Sequence, residues 1–209
     1  MPQTARIVIP GYPHHVIQRG NRRQKVFFND DDRRLYLKIL RKSAQEAGIQ
    51  FWAYCLMENH VHFVAVPERE TSLAQGFGKA HKAYTSYINS REGWRGCLWQ
   101  GRFLSYPMDE IHLYTAVPYI ELNPVRIHLV EKAEDYLWSS ARAHVNKGQD
   151  VLLSDFFLLD EIKDWAQFLR NGISDFARKT IAQHARDGSP LGDEHFLSLA
   201  SQIRKKTVE

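Results

Sequence analysis

Two histidines stand two residues apart in "ENHVHFV", residues 58–64, and a tyrosine and an asparagine stand four apart in "PYIELNPVR", residues 118–126. On a strand, residues i and i+2 share a face, so His60 and His62 point one way while Val61 and Phe63 point the other. Two imidazoles so placed can bind one divalent ion, but two ligands leave the site incomplete. Taken alone, the pair reads rather as packed or surface histidines on a strand. On a helix, residues i and i+4 lie one turn apart on the same face, which pairs Tyr119 with Asn123. An asparagine amide oxygen is a neutral ligand for a hard cation. A tyrosine hydroxyl can attack phosphorus and form a covalent ester. A metal that polarises a phosphate beside such a hydroxyl suits attack on a phosphodiester. The bland alternative keeps Tyr119 in the core and makes Asn123-Pro124 a helix stop, because proline disfavours helical geometry in the residue before it.

These residues need elements to hold them. "PHHVIQRG" (13–20) alternates and ends on glycine, so it reads as a strand running into a loop at "GNRRQ". "DDDRRLYLKILRKSAQEAG" has Asp at its start, apolar Leu35, Ile39, Leu40 and Ala44, and a closing Gly48, the pattern of a capped amphipathic helix. "IQFWAYCLM" (49–57) and "HVHFVAVP" (60–67) read as two strands joined by a tight turn at "ENH", a hairpin. Residues 71–93 carry Leu73, Phe77, Ala80, Tyr84, Tyr87 and Ile88 at helical spacing, with two glycines that weaken the pattern at one end. "LWQGRFLSYPM" (98–108) suggests a further strand, and "DEIHLYTAVPYIELNP" (109–124) a helix with an acidic first turn. Pro118 inside that helix removes a hydrogen bond and clashes with the carbonyl of Tyr114, at about 3 kcal/mol in a regular helix, so a kink or a restart is expected there.

The resulting order is strand, helix, strand, strand, helix, strand, helix. It predicts an α+β fold: a ferredoxin-like antiparallel sheet with helices on one face. Short helical patterns broken by Gly, Ser and Asn fill the rest, so the expected division is a core over 1–130 and a helical C-terminal region over 131–209.

The chain of 209 residues is long enough for one full core with room for a small second module, and 44% apolar residues exclude disorder. Its longest apolar runs, such as Val151 to Leu153 and Phe156 to Leu159, are far too short to span a membrane. The N-terminus has no signal-peptide pattern, and Cys55 and Cys97 form no CxxC pair, so a cytoplasmic protein with reduced thiols is expected. The net charge of +4 says less than its distribution. Arg6, Arg19, Arg22, Arg23 and Lys25 fall in one stretch without an acid, and "IRKKTVE" forms a second basic cluster at the C-terminus. Such clusters fit a nucleic-acid partner, or simply a solvated basic surface.

Taken together, "PGYPHHVIQRGNRRQKVFF", "AYCLMENHVHFVAVP", "LWQGRF" and "YIELNPVR", with a weaker echo in "SPLGDEHFLSLA", resemble the single-tyrosine transposases of the histidine–hydrophobic–histidine nuclease superfamily. They are most like the branch associated with repetitive extragenic palindromes. The resemblance implies a ferredoxin-like core and a catalytic Tyr119. It implies Mg²⁺ or Mn²⁺ held by His60, His62 and Asn123, where related insertion-sequence enzymes use Gln at the third position. It also implies single-stranded DNA with hairpin or palindromic repeats as substrate, cleaved through a 5′-phosphotyrosine and rejoined, by a monomer or a homodimer without a membrane partner. The alternatives are a hairpin-binding protein that has lost its chemistry and a metal-dependent phosphodiesterase that uses water.

Arg19, Arg22, Arg23, Arg102 and Arg126 are candidate DNA contacts. Trp99 and Phe103 can stack on unpaired bases but read better as core. His14 and His15 point to opposite faces and are expected at the surface, although one of them can approach the metal or the DNA. Glu58 reads as a turn residue, and Lys79, His81 and Lys82 as a solvated helix face.

Overall fold

The computed structural model describes residues 6–208, with the side chains of 205–208 excepted. Four strands, β1 (His14–Arg19), β2 (Ile49–Met57), β3 (His60–Pro67) and β4 (Leu104–Pro107), form an antiparallel sheet in the order β2-β3-β1-β4. With α1 (Asp30–Ala47) and α2 (Ser72–Glu92) as crossovers, this is the expected ferredoxin-like βαββαβ core of an α+β fold. The hairpin turn is two residues, not three: Met57 pairs with His60, so His60 opens β3.

Local chemistry explains the helix limits. Asn29, not one of the aspartates that follow it, caps α1 by accepting from the Asp32 amide at 2.9 Å. Gly48 ends α1 in the left-handed region, at φ 68°. The buried stripe of α1 is Tyr36, Leu37, Leu40, Ala44 and Ala47, one position round from the Leu35–Ile39 line. In α2, Gly76 is needed for contact: a Cβ there would lie 2.5 Å from Ile49 Cδ1, so the glycine lets the helix sit against β2.

α1 and α2 cover one face of the sheet, with Val16, Tyr54, Leu56, Val61 and Phe63 beneath them. The other face is covered too, where the sequence reading had placed no helices. Ala53, Cys55, Met57, Val64 and Tyr106 point that way, and α3 (Leu113–Glu121) packs on them with α5 (Ala141–Asn146), α7 (Trp165–Asn171) and α8 (Asp175–Asp187). Strands apolar on both sides require two covering layers. α4 (Asn123–Arg126), α6 (Leu158–Glu161) and α9 (Glu194–Val208) complete the helices.

The C-terminal region also closes both sheet edges. Ser139 bridges Cys55, and Leu56 N donates to Trp138 O at 2.8 Å on the β2 side. Leu191 N donates to Pro107 O at 3.0 Å on the β4 side. Exposed strand edges invite aggregation, and these contacts cap them. No helix among the described residues is long and apolar enough to cross a membrane.

His14 and His81, like His15, are buried, contrary to the surface reading. His14 accepts from the Ile9 amide at 3.1 Å, and His81 bonds the Tyr36 hydroxyl at 2.9 Å, while Lys79 and Lys82 stay exposed as read. Burial pushes the His14 pKa down to about 4 and that of His81 down to about 3. The unfolded chain therefore binds more protons below about pH 6.5, so stability falls as pH drops from there towards 4. Each histidine contributes a slope of up to about 1.4 kcal/mol per pH unit. Urea denaturation of wild type and of His81→Gln across pH 4–7 checks this, the variant being the less pH-dependent.

Candidate active site

His60 and His62 project from the same face of β3, as the alternation requires, with ring centroids 5.0 Å apart. They line a cavity of about 650 Å³ together with Tyr119, Asn123, Arg19, Gln100, Arg102 and Arg186. The Tyr119 ring stands edge-on to His62 at 6.1 Å and to His15 at 5.9 Å.

The helix that carries Tyr119 differs from expectation at one point. α3 runs unbroken through Pro118 and does not restart there. The break comes four residues later at Leu122, where φ −83° and ψ 2° separate α3 from α4. Pro124 then sits at the start of α4, where a missing N–H costs nothing. Tyr119 ends one helix and Asn123 begins the next, yet both reach the same cavity.

Both motif histidines are held as neutral ligands would be. His60 Nδ1 contacts Asn59 Oδ1 at 2.6 Å, and His62 Nδ1 contacts His15 Nε2 at 2.9 Å. When His62 donates from Nδ1, His15 donates in turn from its own Nδ1 to the Tyr106 hydroxyl at 3.0 Å, and His62 Nε2 keeps its lone pair. Burial, reinforced by Arg19 and Arg126, pulls the His60 pKa down to about 4. Burial and then the neighbouring His15 and His60 hold His62 well below its usual range. Burial and Arg126 take His15 to about 3.

Among the described residues no three His, Cys, Asp or Glu side chains cluster to hold a metal, so a third donor beside the two histidines would have to be of another type. Asn123 is buried, and its Nδ2 has no hydrogen-bond partner among the described residues. Two neutral imidazoles and an amide oxygen fit a divalent ion, and leave its charge uncancelled for an anionic ligand.

The candidate basic residues divide. Arg19 and Arg102 line the cavity. Arg126 lies under it, its guanidinium carbon 4.4 Å from the Tyr119 ring centroid, a cation–π contact that fixes the ring. Arg22 and Arg23 occupy an exposed 3₁₀ turn, Asn21–Arg23, with φ of 52° and 61°, and are not part of the cavity wall. Glu58 is the exposed turn residue it was read to be, paired with Lys25 at 2.5 Å, a contact of little energetic weight. Trp99 and Phe103 are core, as read.

His15 behind the cavity, and Arg186, Ala182 and Ala185 in its wall, are among the residues that the sequence reading does not place there. His15 is fully buried against His62, contrary to its surface reading. Strand parity would have found it: Ile17 pairs with His62 across β1 and β3, so His15 shares the face of His62. Arg186 and the small residues Ala182 and Ala185 come from α8, and no local signal joins that helix to the histidines.

The family model "Transposase IS200 like" matches residues 10–123, a span that includes the hairpin histidines, Tyr119 and Asn123. Among solved structures, one described as a REP-associated tyrosine transposase bound to a REP hairpin superposes with a TM-score of 0.60 at 18% identity, over 75% of this chain and 93% of that one. A Deinococcus radiodurans R1 protein provisionally assigned as a transposase gives a TM-score of 0.39 at 18% identity, over 61% of this chain and 93% of that one. No curated protein matches the chain. With more than half of its length matched by the family model, the chain belongs to the IS200-like transposase family.

Proposed function

We propose that this transposase cleaves and rejoins single-stranded DNA at hairpin-forming palindromic repeats, through a 5′-phosphotyrosine on Tyr119. The observation that carries the reading is the convergence of Tyr119, Asn123, His60 and His62 on one cavity, from a helix pair and a hairpin far apart in the chain. The relative solved with a REP hairpin supports the choice of substrate.

His60, His62 and Asn123 are the residues to hold Mg²⁺ or Mn²⁺. Bound there, the ion would offset charge on the scissile phosphate and on the leaving 3′-oxygen. The Tyr119 hydroxyl loses its proton and forms the new O–P bond as the P–O3′ bond breaks. The released 3′-oxygen takes up a proton, leaving a free 3′-hydroxyl. The tyrosine ester conserves the bond energy, so a 3′-hydroxyl can reverse the step without a nucleotide cofactor. Arg126 holds the tyrosine ring, and His15 fixes the His62 tautomer. Arg19 and Arg102 supply positive charge along the cavity for the backbone. The exposed Arg22 and Arg23 are assigned to phosphates of the hairpin stem, outside the cavity.

The test incubates the protein with a labelled hairpin oligonucleotide carrying single-stranded flanks, in Mn²⁺. A denaturation-stable protein–DNA adduct is expected. Free ends without an adduct would mean that water is the nucleophile, and binding without cleavage would mean a hairpin-binding protein. EDTA is expected to abolish the adduct. His62→Ala is expected to weaken Mn²⁺ binding by about 100-fold or more, since loss of an outer partner alone costs 10–100-fold. Calorimetric titration with Mn²⁺ reads this directly; unchanged affinity removes His62 from the ligand set.

A further inference from the structure

One arginine from each of the two basic clusters, Arg6 and Arg204, comes to the same groove in the fold. Ile7 and Ile9 pack with Phe196 and Ala200 of α9 in a small separate core, with Tyr12, Leu199 and Ile203 against it. This joins the N-terminal segment to the last helix and brings Arg6 and Arg204 onto one groove of about 350 Å³, beside Arg102. Of the C-terminal cluster, Lys205 and Lys206 lie outside the residues whose side chains are described.

The groove adjoins the Tyr119 cavity: Arg102 and, at the start of the edge strand β4, Leu104 line both. Among the described residues it is lined by three guanidinium groups and one carboxylate, Asp187, which accepts from the Ser189 amide and hydroxyl and from Gln183. Burial, and then the nearby Arg102, lower the pKa of Arg6. Arg6 is also pre-ordered: it stacks over the Phe103 ring at 3.9 Å and donates to Phe103 O at 3.2 Å. On the same wall, the Ser105 hydroxyl is buried and has no hydrogen-bond partner. Leu104, 48% exposed, offers apolar surface at the junction.

We propose that this groove binds the phosphodiester backbone of the single strand where it leaves the Tyr119 cavity, with Arg6 and Arg204 on successive phosphates and Arg102 at the passage between the two. The proposal rests on the reading of the cavity as a DNA-cleaving site. Guanidinium groups match phosphate oxygens in pairs, and the junction leucine suits an unpaired base.

The experiment measures anisotropy in the Tyr119→Phe background, so that covalent capture plays no part. Two oligonucleotides share one hairpin: one has single-stranded flanks running past the cleavage position, and the other is truncated there. Arg6→Gln/Arg204→Gln is expected to weaken binding of the flanked oligonucleotide about tenfold. It is also expected to lower the slope of log affinity against log salt by roughly 1.4, two single-strand phosphate contacts. The truncated oligonucleotide should bind as before. Equal losses on both, or a loss on neither, overturn the groove assignment. Arg204→Gln alone, at an exposed position, gives the same contrast at about half the size if the double variant fails to fold. Absence of an adduct with wild-type protein would instead sink the reading of the cavity, so the two failures are separable.

Discussion

Tyr119→Phe is expected to abolish the covalent DNA adduct and to lower single-strand cleavage by about 10⁴-fold or more, while hairpin affinity stays within about twofold of wild type. The size follows from the geometry. The substitution deletes the oxygen proposed to attack and nothing else in the cavity. Tyr119 is half-buried, and it touches the rest of the site through its ring, against Arg126, His15 and His62. A phenyl ring preserves those contacts, so the surrounding arginines and the proposed metal ligands keep their places. Denaturing gels with end-labelled hairpin read the adduct, and anisotropy reads binding. An adduct that persists in the variant would show that another residue is the nucleophile. Loss of binding together with the adduct would show that the hydroxyl serves recognition rather than attack.

Glu121→Ala is expected to destabilise the protein by about 3–5 kcal/mol, the largest effect of any single truncation near the site. Glu121 is fully buried between Tyr119 and Asn123, on the side of α3 turned away from the cavity. Its Oε1 accepts from the Ser140 hydroxyl at 2.5 Å and from His144 Nδ1 at 2.6 Å, and its Oε2 accepts from Trp165 Nε1 at 2.8 Å. One carboxylate thus ties the tyrosine helix to α5 and α7. Truncation strands two buried donors, His144 Nδ1 and Trp165 Nε1, leaves the Ser140 hydroxyl only the 3.3 Å contact to Tyr54 O, and opens a cavity, and each unmet donor costs about 1–3 kcal/mol. Glu121→Gln fills the volume and keeps one acceptor oxygen, so a smaller loss of about 1–3 kcal/mol is expected. Urea denaturation measures both variants. A loss below 1 kcal/mol for the alanine variant would mean that the C-terminal helices do not anchor α3. Because Tyr119 and Asn123 flank this residue, adduct formation is expected to slow in Glu121→Gln with DNA affinity retained.

Much of this molecule was readable before any tertiary contact was known. Period-two alternation puts His60 and His62 on one face whatever lies opposite, and the strands at 49–57 and 60–67 fall where the sequence places them. Gly48 stops α1 because a left-handed residue must follow the last turn. Spacing four apart brings Tyr119 and Asn123 together, and it survived the break at Leu122 because one irregular residue shifts the chain by less than a turn. Pro118 does not restart the helix, since the penalty for an interior proline applies to an isolated helix. Here the residue is buried, and the packing of Leu113, Ala116, Val117 and Ile120 along α3 outweighs one missing bond.

Local pattern determined which side chains each element presents: the paired histidines, the tyrosine with its asparagine, the basic clusters, the hairpin and its flanking helices. Only the tertiary structure decided what they face. It turned His14, His15 and His81 from surface residues into buried neutral ones, because burial is a property of what packs over a strand or helix and not of the strand or helix itself. It brought Arg186 to the histidines and Arg204 to Arg6 across most of the chain's length. Such pairings are set by which surfaces bury the most apolar area together, a sum over the whole fold that no window of sequence contains.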